Sequence, residues 1–180
     1  MSDYRRAYVK GGVFFFTVAT YERRPLFKTE SAVSALRDSF KRAIALYPFK
    51  VDSMVVLPDH LHAIWVLPED DSDFSVRWRL IKTIFTRGKP VTLPKPASDS
   101  RRMKKERAIW QRRFWEHMIR DEADLNRHRD YIHYNPVKHG LATSPDQWKH
   151  SSFHRFVRQG LYPSDWGKSP QKQVLEMDLE

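Results

Sequence analysis

Residues 12–20 (GVFFFTVAT) form one unbroken block of bulky and β-branched side chains behind a pair of glycines. The block is too short for a buried helix and predicts a strand covered on both faces. Apolar residues then recur at helical spacing over 30–47 (Val33, Leu36, Phe40, Ala43, Tyr47), with Thr29 placed to cap the helix and Pro48 to stop it. Two further strands are predicted at 49–57 and 60–67, joined by a turn at Pro58 and Asp59. A second helix spans 75–87, with Val76, Leu80 and Ile84 on one side, basic residues on the others and Gly88 just past its end. Residues 89–100 are rich in proline and serine and read as a loop, and a strand is expected somewhere inside 108–118. Residues 121–135 form a third helix whose first turn is acidic (Asp121, Glu122, Asp124), as the helix dipole prefers, with Pro136 expected to end it.

The order strand, helix, strand, strand, helix, strand, helix is the split βαβ arrangement. The expected fold is therefore α+β, a ferredoxin-like βαββαβ sandwich with an antiparallel sheet and an added C-terminal helix. A chain of 180 residues with 41% hydrophobic side chains can bury a core of its own. One domain is expected over residues 1–167, followed by a loose polar tail over 168–180. The chain has no cysteine, which excludes disulfides, thiol nucleophiles, cysteine-ligated zinc and iron–sulfur clusters. With no long apolar run and no signal-type segment in view, neither membrane insertion nor secretion is expected, and the default location is cytoplasmic.

Charge changes this picture. Lysine and arginine total 32 against 22 acids, a net charge of +10. Such an imbalance points to a polyanionic partner, nucleic acid before membrane, because no basic amphipathic helix with a clean apolar face stands out. Residues 101–113 alone hold seven basic side chains and one acid.

Two groups of residues carry chemistry. His60 and His62 are i and i+2 on a strand and project from one face, so their imidazoles, roughly 6–7 Å apart along the strand, can converge on one metal ion. Tyr131 and Asn135 are i and i+4 and share a helix face, with Cβ atoms roughly 5–6 Å apart. An amide oxygen can complete a coordination set with two histidines, and a tyrosine one turn away can reach a substrate held there. Read separately, the histidines also fit a polar patch, and the tyrosine and asparagine a core residue and a helix cap.

Taken together and in this order, these segments resemble a known family. Residues 57–65 (LPDHLHAIW) are similar to the HUH motif of single-strand endonucleases, and 130–141 (DYIHYNPVKHGL) to the Tyr-x-x-x-Asn signature of REP-associated tyrosine transposases. The resemblance continues through 110–117 (WQRRFWEH) and 151–155 (SSFHR) and covers about residues 4–167. It implies a metal-dependent endonuclease and strand transferase acting on single-stranded or hairpin DNA, the repetitive extragenic palindromes. It further implies that His60, His62 and Asn135 hold a divalent ion, Mg²⁺ or Mn²⁺, while Tyr131 is the nucleophile that forms a 5′-phosphotyrosine. Relatives that work as monomers favour a monomer here, with a dimer as the alternative.

On that reading basic side chains line the DNA path. The candidates are Arg112, Arg113 and Lys138, then Arg77, Lys82 and Arg155, with Arg5 and Arg6 as an N-terminal arm. Trp110, Trp115, Tyr134 and Trp148 are candidates for stacking on unpaired bases. His128 and His133 lie near Tyr131 in sequence and are weighed as its base. Two other classes compete: a non-catalytic nucleic-acid-binding module on the same fold, and an unrelated hydrolase with zinc on the histidine pair.

Overall fold

The structure, a computed structural model, describes residues 8–88, 108–169, 171–177 and 179. Four strands, β1 (Val13–Ala19), β2 (Lys50–Val56), β3 (His60–Val66) and β4 (Trp115–Met118), form one sheet in the order β2-β3-β1-β4. Every neighbouring pair is antiparallel. This is the ferredoxin-like order expected from the element sequence.

Side-chain alternation divides the sheet into two faces. Phe14, Phe16, Leu61, Ala63 and Trp65 pack beneath α1 (Glu30–Leu46) and α2 (Phe74–Gly88). Trp65 and Trp78 stack there with centroids 4.2 Å apart. Phe15, Val55 and Ile64 point the other way, beneath α3 (Glu122–Lys138). The apolar block 12–20 is thus buried on both sides because both sides carry helices. Thr17 lies opposite His62 and Ala19 opposite His60, so both histidines sit on the α3 face of β3, one of the two central strands.

Pro136 does not end α3. It lies inside the last turn, where its missing N–H removes only one helical bond, and the helix continues to Lys138. Gly140, at φ +65°, then closes it: Gly140 N–H donates to Val137 O (2.9 Å) and Leu141 N–H to Pro136 O (2.8 Å). Asn135 is consequently a helical residue rather than a cap.

Residues 150–152 cover the exposed edge of β2. Val56 N–H donates to His150 O (2.9 Å) and Ser152 N–H to Met54 O (2.8 Å), which protects the edge from pairing with another chain. The short helix α4 (Phe153–Arg158) follows. The tail expected to be loose instead forms a one-turn helix, α5 (Lys172–Leu175), whose Val174 is buried in the cluster under α3. Apolar residues at Val174, Met177 and Leu179 supply the contact.

Candidate active site

Two elements bring the site together. Strand β3 presents His60 and His62 with ring centroids 4.9 Å apart. Helix α3 places the Tyr131 ring 5.2 Å from the His62 ring, nearly edge-on. Asn135 lies one turn further along the same buried face. The strand-borne and helix-borne groups therefore meet on one side of the sheet.

Each imidazole is oriented through its Nδ1. That of His60 lies 2.7 Å from Asp59 Oδ1. That of His62 lies 2.9 Å from Thr17 Oγ1, whose hydroxyl donates to Leu179 O at 2.6 Å. With its proton used there, Thr17 accepts from His62 Nδ1–H, and Nε2 is left as a bare lone pair. Burial, with the charges of His60, His139, Arg23 and Lys138 behind it, holds the His62 imidazole well below its usual range, so it is neutral.

The fit to a metal rests on buried polar atoms. His62 Nε2 and both amide atoms of Asn135 are buried and make no hydrogen bond among the described residues. An idle buried amide oxygen is costly, and an ion bound by it and by imidazole nitrogen removes that part of the cost. Two histidines and an amide are a donor set that Mn²⁺ and Mg²⁺ accept, with room left for phosphate oxygens and water.

Helix α3 is held in register by contacts to β2. At an irregularity between Val51 and Ser53, Asp52 takes two hydrogen bonds from Arg129, at 2.8 and 2.6 Å. Burial acts to raise the Asp52 pKa, but the hydrogen bonds and charge of Arg129 outweigh it and leave the carboxylate lowered. Ser152 Oγ accepts from Met54 N–H at 2.9 Å and lies 2.8 Å from His133 Nε2. His133 therefore serves the helix–sheet contact, among Phe153, Phe156 and Tyr162, and is not the base for Tyr131. Burial holds it down to about 3.

His128 belongs to a group that sequence reasoning missed. His117 Nε2 lies 2.8 Å from Asp124 Oδ2, and His128 Nδ1 lies 2.8 Å from Asp124 O. These three side chains bring ligand atoms within 4.8 Å of one another. Their spacing in sequence (117, 124, 128) crosses from β4 to α3, which no local pattern reveals. Thr17, as the partner of His62, is equally invisible until the strand register is known.

The basic candidates separate. Lys138 is at the site: its Nζ lies 4.9 Å from the centre of the Tyr131 ring and donates to Met177 O. Arg112 and Arg113 are exposed in the loop before β4. Arg155 is half-buried at the β2 edge and donates to Asp52 O. Arg77 does not line a DNA path: it is 1% exposed, and its guanidinium is spent on Asp71, Pro48 O and Asp73 O. Lys82 donates to Gln111 O at 3.0 Å on α2, across the sheet from Tyr131. Both are basic positions that the sequence offers as candidates for the DNA path, because helix periodicity does not reveal which polar side chain the protein itself engages. Arg5, Arg6 and residues 101–107 lie outside the described residues. Of the stacking candidates, Trp110 and Tyr134 are core residues and Trp148 is pinned to Val56 O, whereas Trp115 is 40% exposed.

An antiparallel ferredoxin-like sheet with paired histidines on a central strand, facing a Tyr-x-x-x-Asn helix, defines a protein of the HUH endonuclease class. No protein-family model matches the chain. It is 43% identical over 177 residues to a protein of Haemophilus influenzae described as a REP-associated tyrosine transposase, covering 97% of this chain and 98% of that one. It is 45% identical over 166 residues to the REP-associated tyrosine transposase of Escherichia coli K12, covering 92% and 91%. A solved REP-associated tyrosine transposase bound to a REP hairpin superposes with a TM-score of 0.81 at 42% identity, over 99% of this chain and 96% of that one. The chain belongs to the REP-associated tyrosine transposase family. Among the described residues no helix is long and apolar enough to cross a membrane.

Proposed function

We propose that this protein nicks and rejoins single-stranded DNA at the foot of a palindromic hairpin, with Tyr131 as nucleophile and His60, His62 and Asn135 as ligands of one divalent ion. The observation that carries the reading is the buried Asn135 amide, without a hydrogen bond among the described residues, on the same side of the sheet as the His62 lone pair and the Tyr131 ring. When bound, the ion supplies Lewis-acid polarisation of the scissile phosphodiester.

The chain's own residues do the rest. The Tyr131 oxygen forms a bond to phosphorus as the bond to the 3′ oxygen breaks, and the leaving oxygen gains a proton to become a 3′-OH. The product is a 5′-phosphotyrosine, which a 3′-OH can attack in the reverse sense, so rejoining requires no nucleotide cofactor. Lys138, over the Tyr131 ring, places a positive charge beside the reacting groups. Asp59 and Thr17 hold the two imidazoles through their Nδ1 atoms and so keep them aimed. Tyr131 is fully buried, in one cluster with Val174, so entry of the phosphodiester requires the segment after Gln171 to move aside. A cytoplasmic site of action goes with such a substrate, and a monomer suffices for a single nick.

The test uses the purified protein, Mn²⁺ or Mg²⁺ and a hairpin oligonucleotide with a single-stranded foot. A covalent protein–DNA adduct that EDTA prevents is expected, and Tyr131→Phe abolishes it while leaving DNA binding intact. An adduct that persists in Tyr131→Phe overturns the nucleophile. Binding without cleavage under every metal condition favours the non-catalytic module.

A further inference from the structure

The segment 149–155 does more than cover the β2 edge. Together with α1 it encloses a cavity of about 260 Å³. The floor is apolar, built by Val33, Val51 and Met54, and the rim carries Arg37, Lys149 and His150. These three side chains converge on a single carboxylate. Glu30 lies 3.8 Å from Arg37 Nη1 and 3.6 Å from His150 Nε2, and it also contacts Lys149 Nζ. Arg37 Nη2 in turn lies 3.3 Å from His150 Nδ1.

Glu30 is more than half exposed, so its carboxylate competes with water for these contacts and a phosphodiester delivered by bound DNA can displace it. An apolar floor beneath a cationic rim matches a nucleotide, with a base or sugar against the aliphatic groups and a phosphate at the mouth. Met54 and Val56 face the cavity, whereas Val55 between them faces α3. The cavity and the Tyr131 site are thus on opposite faces of the same sheet, separated by the β2 edge.

Building on the hairpin-DNA reading above, we propose that this cavity holds one nucleotide of the bound DNA away from the scissile phosphodiester. Its phosphate takes the place of the Glu30 carboxylate on Arg37, Lys149 and His150.

The experiment compares wild type, the double variant Arg37→Ala/Lys149→Ala and Glu30→Gln, using hairpin-oligonucleotide affinity at a series of salt concentrations. The double variant is expected to bind at least about 10-fold more weakly at low salt, with the log–log salt slope reduced by about 1. Glu30→Gln is expected to bind a few-fold more tightly, because the competing anion is gone. Tyr131 adduct formation at saturating DNA is expected to stay at the wild-type level in all three. A parallel titration with dTMP identifies the source: protection of wild type but not of the double variant against thermal unfolding assigns the site to free nucleotides as well as to chain phosphate. A double variant whose affinity and salt slope match wild type overturns the site while leaving the Tyr131 chemistry intact. A wild-type protein that binds no DNA removes both readings together.

Discussion

Thr17 and His62 are register partners on the two central strands, with Oγ1 and Nδ1 2.9 Å apart. Because the Thr17 proton goes to Leu179 O, the contact fixes the tautomer that leaves His62 Nε2 bare. Thr17→Val keeps the shape and removes the acceptor. Loss of such an orienting partner typically weakens metal binding by about 10- to 100-fold. Calorimetric titration with Mn²⁺ measures it, and an unchanged affinity in Thr17→Val would show that His62 is oriented by something else.

Ser152 ties α3 to the sheet by serving Met54 N–H and His133 Nε2 at once. Ser152→Ala leaves two buried polar atoms without that partner, and each costs about 1–3 kcal/mol. Urea unfolding should therefore show a clear loss of stability, and the helix that carries Tyr131 and Asn135 loses a polar tie to β2. Adduct formation is expected to fall further than DNA affinity, since the reacting groups need closer placement than the binding surface does. Equal losses in both would make Ser152 a general fold contact.

The sequence carried the layers of this fold because each element has a clear period: the doubly buried block of β1, the helical spacing of α1 and the acidic opening of α3. Spacing of two on a strand and four on a helix sets which face His60, His62, Tyr131 and Asn135 take, and the resemblance of the segments that hold them to a known family singled them out. What depends on contacts between distant segments could not be read. Thr17 becomes the partner of His62 only once the β1–β3 register is set, and the His117, Asp124 and His128 group needs β4 and α3 to be adjacent. Arg77 shows the same limit on the surface: its neighbours in sequence are charged, yet Asp71 and two carbonyls draw it inside. Pro136 misled for a local reason, since proline near a helix end removes a bond that the last turn can do without.

Asp124 links pH to stability. Burial acts to raise its pKa, but the His117 hydrogen bond, the Arg120 N–H and the nearby imidazole charges outweigh it and bring it down to about 2, from an ordinary 3.8. A carboxylate lowered by folding contributes stability that is complete above about pH 4 and is lost as pH falls toward 2. The contribution is on the order of 1–2 kcal/mol, so thermal melts between pH 5 and pH 2 should fall more steeply in wild type than in Asp124→Asn. Parallel pH profiles for the two proteins would contradict the role assigned to this carboxylate.

Trp115, Thr17 and His62 occupy one cross-strand row, because Trp115 pairs with Thr17 on β4 and Thr17 with His62 on β3. Two strand spacings put the Trp115 backbone roughly 10 Å from that of His62, on the face that carries Tyr131. Its ring stacks at 6.0 Å on His117 and meets Phe15 edge-on, yet stays 40% exposed, so it is held in place with surface left for another ring. An exposed, braced indole on the face that carries Tyr131 suits stacking on an unpaired base, worth about 1–3 kcal/mol on truncation. Trp115→Ala should therefore weaken binding of the single-stranded foot by about 5- to 100-fold. Binding of a blunt hairpin stem without that foot should not change. If Trp115→Ala weakens stem and foot equally, the indole serves the edge of the sheet rather than the DNA.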